Sequence, residues 1–385
     1  MVSEITASEL RDRLDAGDEF VLLDTRDTES FEGWRIPGSV QYFYKPFHEF
    51  DLDALVSATG IQKDDEIITI CAKGKASYAI AEELESAGYN DVTVVLEGMR
   101  AWSAVYDHVP IELADDLTIV QIQRRAKGCL GYVIASNGEA AVIDATRHTD
   151  EFTTAADALG TPITAVFDTH IHADHISGGR SLATALDVPY YMGHEAAGRD
   201  VTHAFEPLAP NDVVEVGGVD IKALATPGHT SDMVSYLIDT EAVITGDTLF
   251  VESVGRTELQ FGDGEAQTGA TQLYDSLHRT LLAEPDSVTV LPGHFTIRND
   301  GTSPATPGEP IVTTIGETRV GLDILSADRD DFVERITARL PEKPPNYETV
   351  IGINQGSTTV ENETDAIELE LGPNRCAAET DAGAD

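Results

Sequence analysis

Residues 168–179 read DTHIHADHISGG, and this stretch decides how the chain is read. His170, His172, Asp174 and His175 fall within six residues, directly after an apolar run at 163–167 that reads as a buried strand. Side chains two apart on an extended chain share a face. His170 and His172 can therefore reach one centre, while the turn that follows carries Asp174 and His175 to a neighbouring one. Imidazole and carboxylate donors suit zinc, iron or manganese. Four such side chains at the end of a buried strand would be costly polar groups without a metal.

Three later turns extend the set. His229 lies in TPGHT after a strand signal at 220–225, Asp247 in TGDTLF after one at 242–245, and His294 in LPGH after one at 288–291. Each follows a strand end and neighbours a glycine, which permits close backbone approach. Around them, strands are predicted at 117–123, 130–136, 140–145, 163–168, 213–216 and 233–238, with a helix at 151–159. This is a two-sheet core with outer helices, about 200 residues long. The Pro/Gly/Ser/Thr-rich residues 300–310 read as a loop or linker. Helices are expected at 311–327 and 328–340, followed by NYETVIGINQG and an acidic end that frays.

Upstream of 110 the pattern is different. Thr6 and Glu9 have capping-box spacing ahead of SELRDRLDAG. Apolar strands at 20–24, 67–70 and 92–96, with the helical ASYAIAEELESAGY between the last two, imply a small parallel α/β sheet. Cys71 opens the loop CAKGKAS at the junction of a strand and a helix. Backbone N–H groups at a helix start favour an anion and so a thiolate or persulfide. Only seven lysines occur in the chain, and Lys73 and Lys75 are two of them. Lys73, Gly74, Lys75 and Ser77 are therefore expected to form a sulfur-binding loop around a catalytic Cys71.

Composition narrows the partners. The chain has 385 residues, 25 Lys+Arg against 68 Asp+Glu, and a net charge of -43. Such a charge repels phosphate, so nucleic acid and anionic membranes are excluded as expected partners. The excess is spread over the chain, with 9 basic against 22 acidic residues up to 110 and 16 against 46 beyond. An acidic, lysine-poor shell fits a proteome adapted to high salt, where self-repulsion is screened. At 41% hydrophobic the chain is no disordered acidic tail. No apolar run is long enough to span a membrane, and the acidic N-terminal stretch is unlike a signal peptide. Three cysteines make no disulfide framework, and the expected location is cytoplasmic. Cys129 and Cys376 lack flanking positive charge and read as non-catalytic. His48, His108, His148, His194, His203 and His278 read as surface or structural residues.

Residues 5–108 resemble a rhodanese-like sulfurtransferase, on the strings LLDTRDTESFEGWRIPGSV, CAKGKAS and LEGMRAW. One departure is visible: GWRIPG has Arg35 where such families usually carry histidine. The resemblance implies that Cys71 takes a sulfane sulfur and passes it on. Residues 115–300 resemble the metallo-β-lactamase superfamily, which implies an αββα sandwich with metal at one edge. The expected organisation is therefore an α/β rhodanese-like domain at 1–110 and a metallo-β-lactamase-fold domain at 111–385 with a C-terminal helical extension.

Two branches of that superfamily share these ligands. In hydroxyacylglutathione hydrolase, the resemblance implies two metals, such as Zn(II), with His170, His172 and His229 at the first site. Asp174, His175 and His294 then form the second, and Asp247 bridges. In persulfide dioxygenase it implies one Fe(II) on His170, His229 and Asp247, with positions open for a thiol persulfide and O2. The string VGRTELQFG after Asp247, with KPPNYETVIGINQG and LGPNRCA, resembles the second branch. There Arg256 is expected to clamp a substrate carboxylate or orient the persulfide. The partners implied are a persulfide on a glutathione-like carrier and O2, and a homo-oligomer is compatible with both branches. A sulfur-handling Cys71 domain suits a persulfide consumer better than a thioester hydrolase. A non-catalytic sulfur carrier is the third reading.

Overall fold

The computed structural model describes residues 2–114, 117–338, 340 and 342–378. In the N-terminal unit five strands pair in parallel in the spatial order Ser3–Ile5, Val92–Val95, Ile67–Ile70, Val21–Asp24, Val40–Gln41. Every residue of the two central strands Ile67–Ile70 and Val92–Val95 is buried, as a parallel sheet covered on both faces requires. The first strand, three residues long, is too short to show a sequence period. The capping box forms as expected: Glu9 N–H donates to Thr6 Oγ1 at 3.1 Å and Thr6 N–H donates to Glu9 Oε2 at 2.7 Å.

The strand Tyr106–Ala114 pairs antiparallel with Leu117–Arg124 and so belongs to the second unit's sheet. That sheet has seven strands, running inward through Leu117–Arg124, Cys129–Ser136 and Glu139–Ile143 to Ile163–Phe167, Tyr190–Gly193 and Glu206–Leu208. The facing sheet has six, in the order Val213–Val216, Val219–Ala225, Val234–Ile238, Ala242–Gly246, Thr289–Pro292, Thr313–Thr314. Ile119, Tyr132, Ile143 and Phe167 from one sheet meet Ile221, Tyr236, Ile244 and Leu291 from the other in a single core. Each such side chain contributes about 1.5–3 kcal/mol on burial. Helix Thr149–Leu159 covers one outer face through Phe152, and helices Ala266–Arg279 and Arg329–Ala338 cover the other through Leu273, Leu277 and Phe332. The layers are αββα, as the resemblance implied.

Residues 300–310 form the expected loop, and its end is tied to the sandwich: buried Gln121 exchanges two 2.9 Å hydrogen bonds with the backbone of Ile311, and Gln123 donates to the Glu309 carbonyl. One expectation is corrected. The single helix expected at 311–327 is broken into the strand Thr313–Thr314, the helix Ile315–Gly321 and the 3-10 turn Asp323–Ser326. Thr314 and Glu317 make a second capping box that restarts the chain there. The string NYETVIGINQG contains the helix Tyr347–Asn354. The acidic end from 379 lies outside the described residues.

His148 touches the Tyr106 hydroxyl at 3.0 Å. Burial, reinforced by Arg124 and Arg147, holds its pKa down to about 3. An unfolded chain binds a proton there near 6.5 while the folded one stays neutral, so stability is fully present above that pH and is lost as pH falls. The unfolding free energy from urea titration is expected to drop between pH 7.5 and pH 5, by about 1 kcal/mol per pH unit at most, and less in His148→Gln.

Candidate metal centre

The strand Ile163–Phe167 ends in a loop that carries all four residues of the HxHADH string into the sandwich edge. His170, His172, Asp174 and His175 are each at most 3% exposed. His229, Asp247 and His294 arrive from the ends of Val219–Ala225, Ala242–Gly246 and Thr289–Pro292, and all three are buried. The seven ligand candidates thus meet at one edge.

They divide into clusters. Donor atoms of His170, His229 and Asp247 lie within 4.8 Å of one another. His170 Nε2 is 3.8 Å and His229 Nε2 3.4 Å from Asp247 Oδ2. All three atoms are buried without a hydrogen-bond partner among the described residues. Buried polar atoms are rarely left so, and three facing each other fit a cation. Burial holds both His170 and His229 below the usual histidine range, so their lone pairs are free to ligate. The His229 Nδ1–H donates to the Arg256 carbonyl at 2.8 Å, which fixes Nε2 toward Asp247.

The second cluster is internally bonded. His294 lies 2.6 Å through Nδ1 from Asp247 Oδ1 and 2.9 Å through Nε2 from Asp174 Oδ2. His175 Nδ1 is 3.2 Å from Asp174 Oδ1. Burial opposes charge on His294, but Asp247 and Asp174 outweigh it and push it well above the usual range. His172 falls in another group, with Asp144 and Asp168, and its Nε2 is 3.2 Å from Asp144 Oδ1. His172 Nδ1 and His175 Nε2 are also without partners.

Several residues of the site were not singled out in the sequence. Asp144 accepts from the Thr169 N–H at 2.7 Å and from its hydroxyl at 2.9 Å, besides holding His172. Asn354 donates to the carbonyls of His172 and His175 and accepts from the Ser177 N–H, clamping the loop from the C-terminal extension. Fully buried Glu370 accepts from the Ile176 N–H at 2.7 Å and pairs with Arg124 and Arg147. Burial works against the Glu370 charge, but the two arginines hold its pKa near 2. Cys129 and Cys376, read as non-catalytic, both lie at the centre. Cys129 groups with Asp174, His175 and His294, and Cys376 with Asp247 and His294. Burial, then Asp174 and Asp247, push the Cys376 thiol well up. The other six histidines stand in none of these clusters.

The Arg256 guanidinium, expected to hold substrate, is buried, pairs with Glu258, and donates to the carbonyls of Glu342 and Arg375 at 3.0 and 2.8 Å. These bonds tie the C-terminal segment down beside the metal ligands. A cavity of about 620 Å³ borders the centre at His294 and is lined also by Phe250, Phe295, Ile297, Ile311 and Arg375, among others.

Gly255 packs against this machinery. A Cβ there would fall 1.9 Å from the Asp247 carbonyl oxygen and 3.3 Å from His229 Cβ. Gly255→Ala is expected to displace two ligands of the first cluster, lowering metal affinity at least ~10-fold in a chelator competition.

In the N-terminal unit Cys71 directly follows the strand Ile67–Ile70 and is 6% exposed. Its carbonyl accepts from the Met99 N–H at 2.8 Å, and Gly98, at φ 60°, lies so close that a Cβ would sit 1.9 Å from that oxygen. Helix Lys75–Ser86 begins after Gly74, at φ 86°, with no side-chain cap. The buried Ser77 hydroxyl has no partner among the described residues. Lys75 is exposed. Lys73 instead pairs at 3.2 Å with Glu368 of the C-terminal helix, which Arg100 also binds. Asp24 and Arg26 form a buried ion pair, and Arg26 also donates to the Trp34 carbonyl. Arg35 lies over the Phe31 ring and its N–H donates to the Asn299 carbonyl, so this string docks the two units.

Comparison with known proteins agrees with this construction. Residues 6–105 match the Rhodanese-like domain and residues 124–294 the Metallo-beta-lactamase superfamily. A hydroxyacylglutathione hydrolase of Dictyostelium discoideum is 35% identical over 145 residues, 36% of this chain and 50% of that protein. The chain thus spans half the length of that relative. One from a Polaromonas species is 29% identical over 245 residues, covering 57% of this chain and 90% of its own. The crystal structure of ETHE1 from Myxococcus xanthus is 30% identical with a TM-score of 0.53, covering 62% of this chain and 98% of that one. The chain belongs to the metallo-β-lactamase superfamily, with a rhodanese-like domain preceding that fold.

Proposed function

We propose that the chain is a persulfide dioxygenase whose first domain moves sulfur through Cys71. The observation that carries this reading is the convergence of three partnerless donors, His170 Nε2, His229 Nε2 and Asp247 Oδ2, apart from His172 and from the bonded Asp174–His294 pair. Two imidazoles and one carboxylate on one face form the donor set of a one-iron site with open positions. Ferrous iron held there would supply joint binding of a thiol persulfide and O2. One persulfide, one O2 and one water then give one thiol, one sulfite and two protons. The Arg256 carbonyl fixes His229, and Asp247 holds its other oxygen toward His294. Phe250, Phe295 and Ile311 give the cavity an apolar side on which the carrier's apolar part could rest.

At Cys71, the thiolate would attack the outer sulfur of a persulfide and release the carrier thiol. Sulfite would then attack the outer sulfur of the Cys71 persulfide, giving thiosulfate and restoring the thiolate. The fused domain supports a sulfur substrate, since a thioester hydrolase has no use for this cysteine.

A second reading, two-metal thioester hydrolysis, is favoured by the names of the relatives and by the free nitrogens His172 Nδ1 and His175 Nε2. The test is O2 uptake and sulfite release by iron-loaded protein given a thiol persulfide, beside elemental analysis. No uptake, two zincs per chain and rapid thioester cleavage would overturn the dioxygenase reading.

A further inference from the structure

We propose that Cys129 holds this chain to a single metal, by filling the second ligand pocket with a thiol that is hydrogen-bonded to Asp174. The inference rests on the one-metal reading above. Cys129 opens the strand Cys129–Ser136 and forms an antiparallel bridge with His294. On either side, the Leu130 N–H donates to the Gly293 carbonyl at 2.8 Å and the Phe295 N–H to the Gly128 carbonyl at 3.0 Å. The cysteine backbone is thus pinned beside the ligand turn, and its side chain, 1% exposed, has no solvent-facing alternative.

The sulfur sits 3.0 Å from Asp174 Oδ2, the same oxygen that lies 2.9 Å from His294 Nε2. Asp174 Oδ1 is engaged by His175. Of Asp174, His175 and His294, only His175 has a donor atom, Nε2, without a partner among the described residues. A second ion bound by Asp174 and His294 must break both contacts at once. It must also share the pocket with a sulfur whose distances to all the other donors are within 4.8 Å. Cys376 also approaches Asp247 and His294, but it leaves the facing atoms His170 Nε2, His229 Nε2 and Asp247 Oδ2 without a partner among the described residues. The thiol therefore discriminates between pockets built from the same residue types.

The test is metal content after loading with excess Zn(II) or Co(II) and removal of free ion. The wild-type chain is expected to retain about one equivalent, Cys129→Ala about two, and Cys129→Ser, which keeps a donor of similar reach, about one. Cobalt-loaded wild type is expected to lack thiolate-to-cobalt charge-transfer absorption. Two equivalents in wild type, with such absorption that Cys129→Ser abolishes, would make Cys129 a ligand and overturn the proposal. So would a folded Cys129→Ala that stays at one. If the alanine variant does not fold, the wild-type cobalt spectrum and the serine stoichiometry still decide. One retained metal without persulfide oxidation would sink the functional reading and leave this one standing.

Discussion

His229→Ala is expected to strip the first metal site and to lower O2 consumption at least ~1000-fold, about 4 kcal/mol in activation free energy. The imidazole is fully buried and pinned through Nδ1 to the Arg256 carbonyl, leaving Nε2 aimed at Asp247. Alanine removes one of three donors. His170 and Asp247 alone would leave the ion with two protein ligands. The measurement is metal content beside O2 uptake, with circular dichroism to show that the αββα core persists. His172→Ala supplies the contrast. On the one-metal reading it acts only through the Asp144–His172 contact and should retain most of the metal, whereas a three-histidine first site would lose it. Equal loss in both variants would overturn the one-metal assignment.

The seven ligand-type residues were legible because each sits at a strand end in a short local string, where periodicity and glycine spacing are both readable. The αββα order and the Thr6–Glu9 cap were legible for the same reason. What was not legible arrives by tertiary pairing. Asp144 follows an ordinary buried strand, and only the adjacent strand Ile163–Phe167 brings Thr169 and His172 to it. Asn354 and Glu370 lie some 180 to 195 residues from the loop they hold. Cys129 was judged on flanking charge, but its place beside the metal loop comes from pairing with His294 across the sheet edge. The pairing of Arg256 with Glu258, two residues on, was likewise not read from the string around it. Local motif chemistry is thus a good guide to ligands and a poor guide to their supports, which are chosen by the fold.

Cys71→Ser is expected to abolish sulfur transfer to sulfite, a loss of at least ~1000-fold, while O2 uptake on a supplied thiol persulfide stays within about twofold of wild type. Serine matches the shape of cysteine but forms no persulfide, so the transfer step has no covalent carrier. The metal centre should be indifferent, because its ligands all come from the second unit and none touches Cys71. Lys73 refines the expectation. Its ion pair with Glu368 is half exposed and contributes little to stability by itself. Reversal to Glu would set two carboxylates against each other on the C-terminal helix that leads to Glu370, and Glu370 accepts from the backbone beside His175. Lys73→Glu is therefore expected to lower sulfur transfer and also to weaken metal retention, whereas Lys75→Glu, on the exposed start of its own helix, should affect transfer alone. Thiosulfate formation and metal content measured on the same samples separate the two. Equal behaviour of both variants in both assays would show that the cysteine loop and the metal loop are not mechanically joined through that helix.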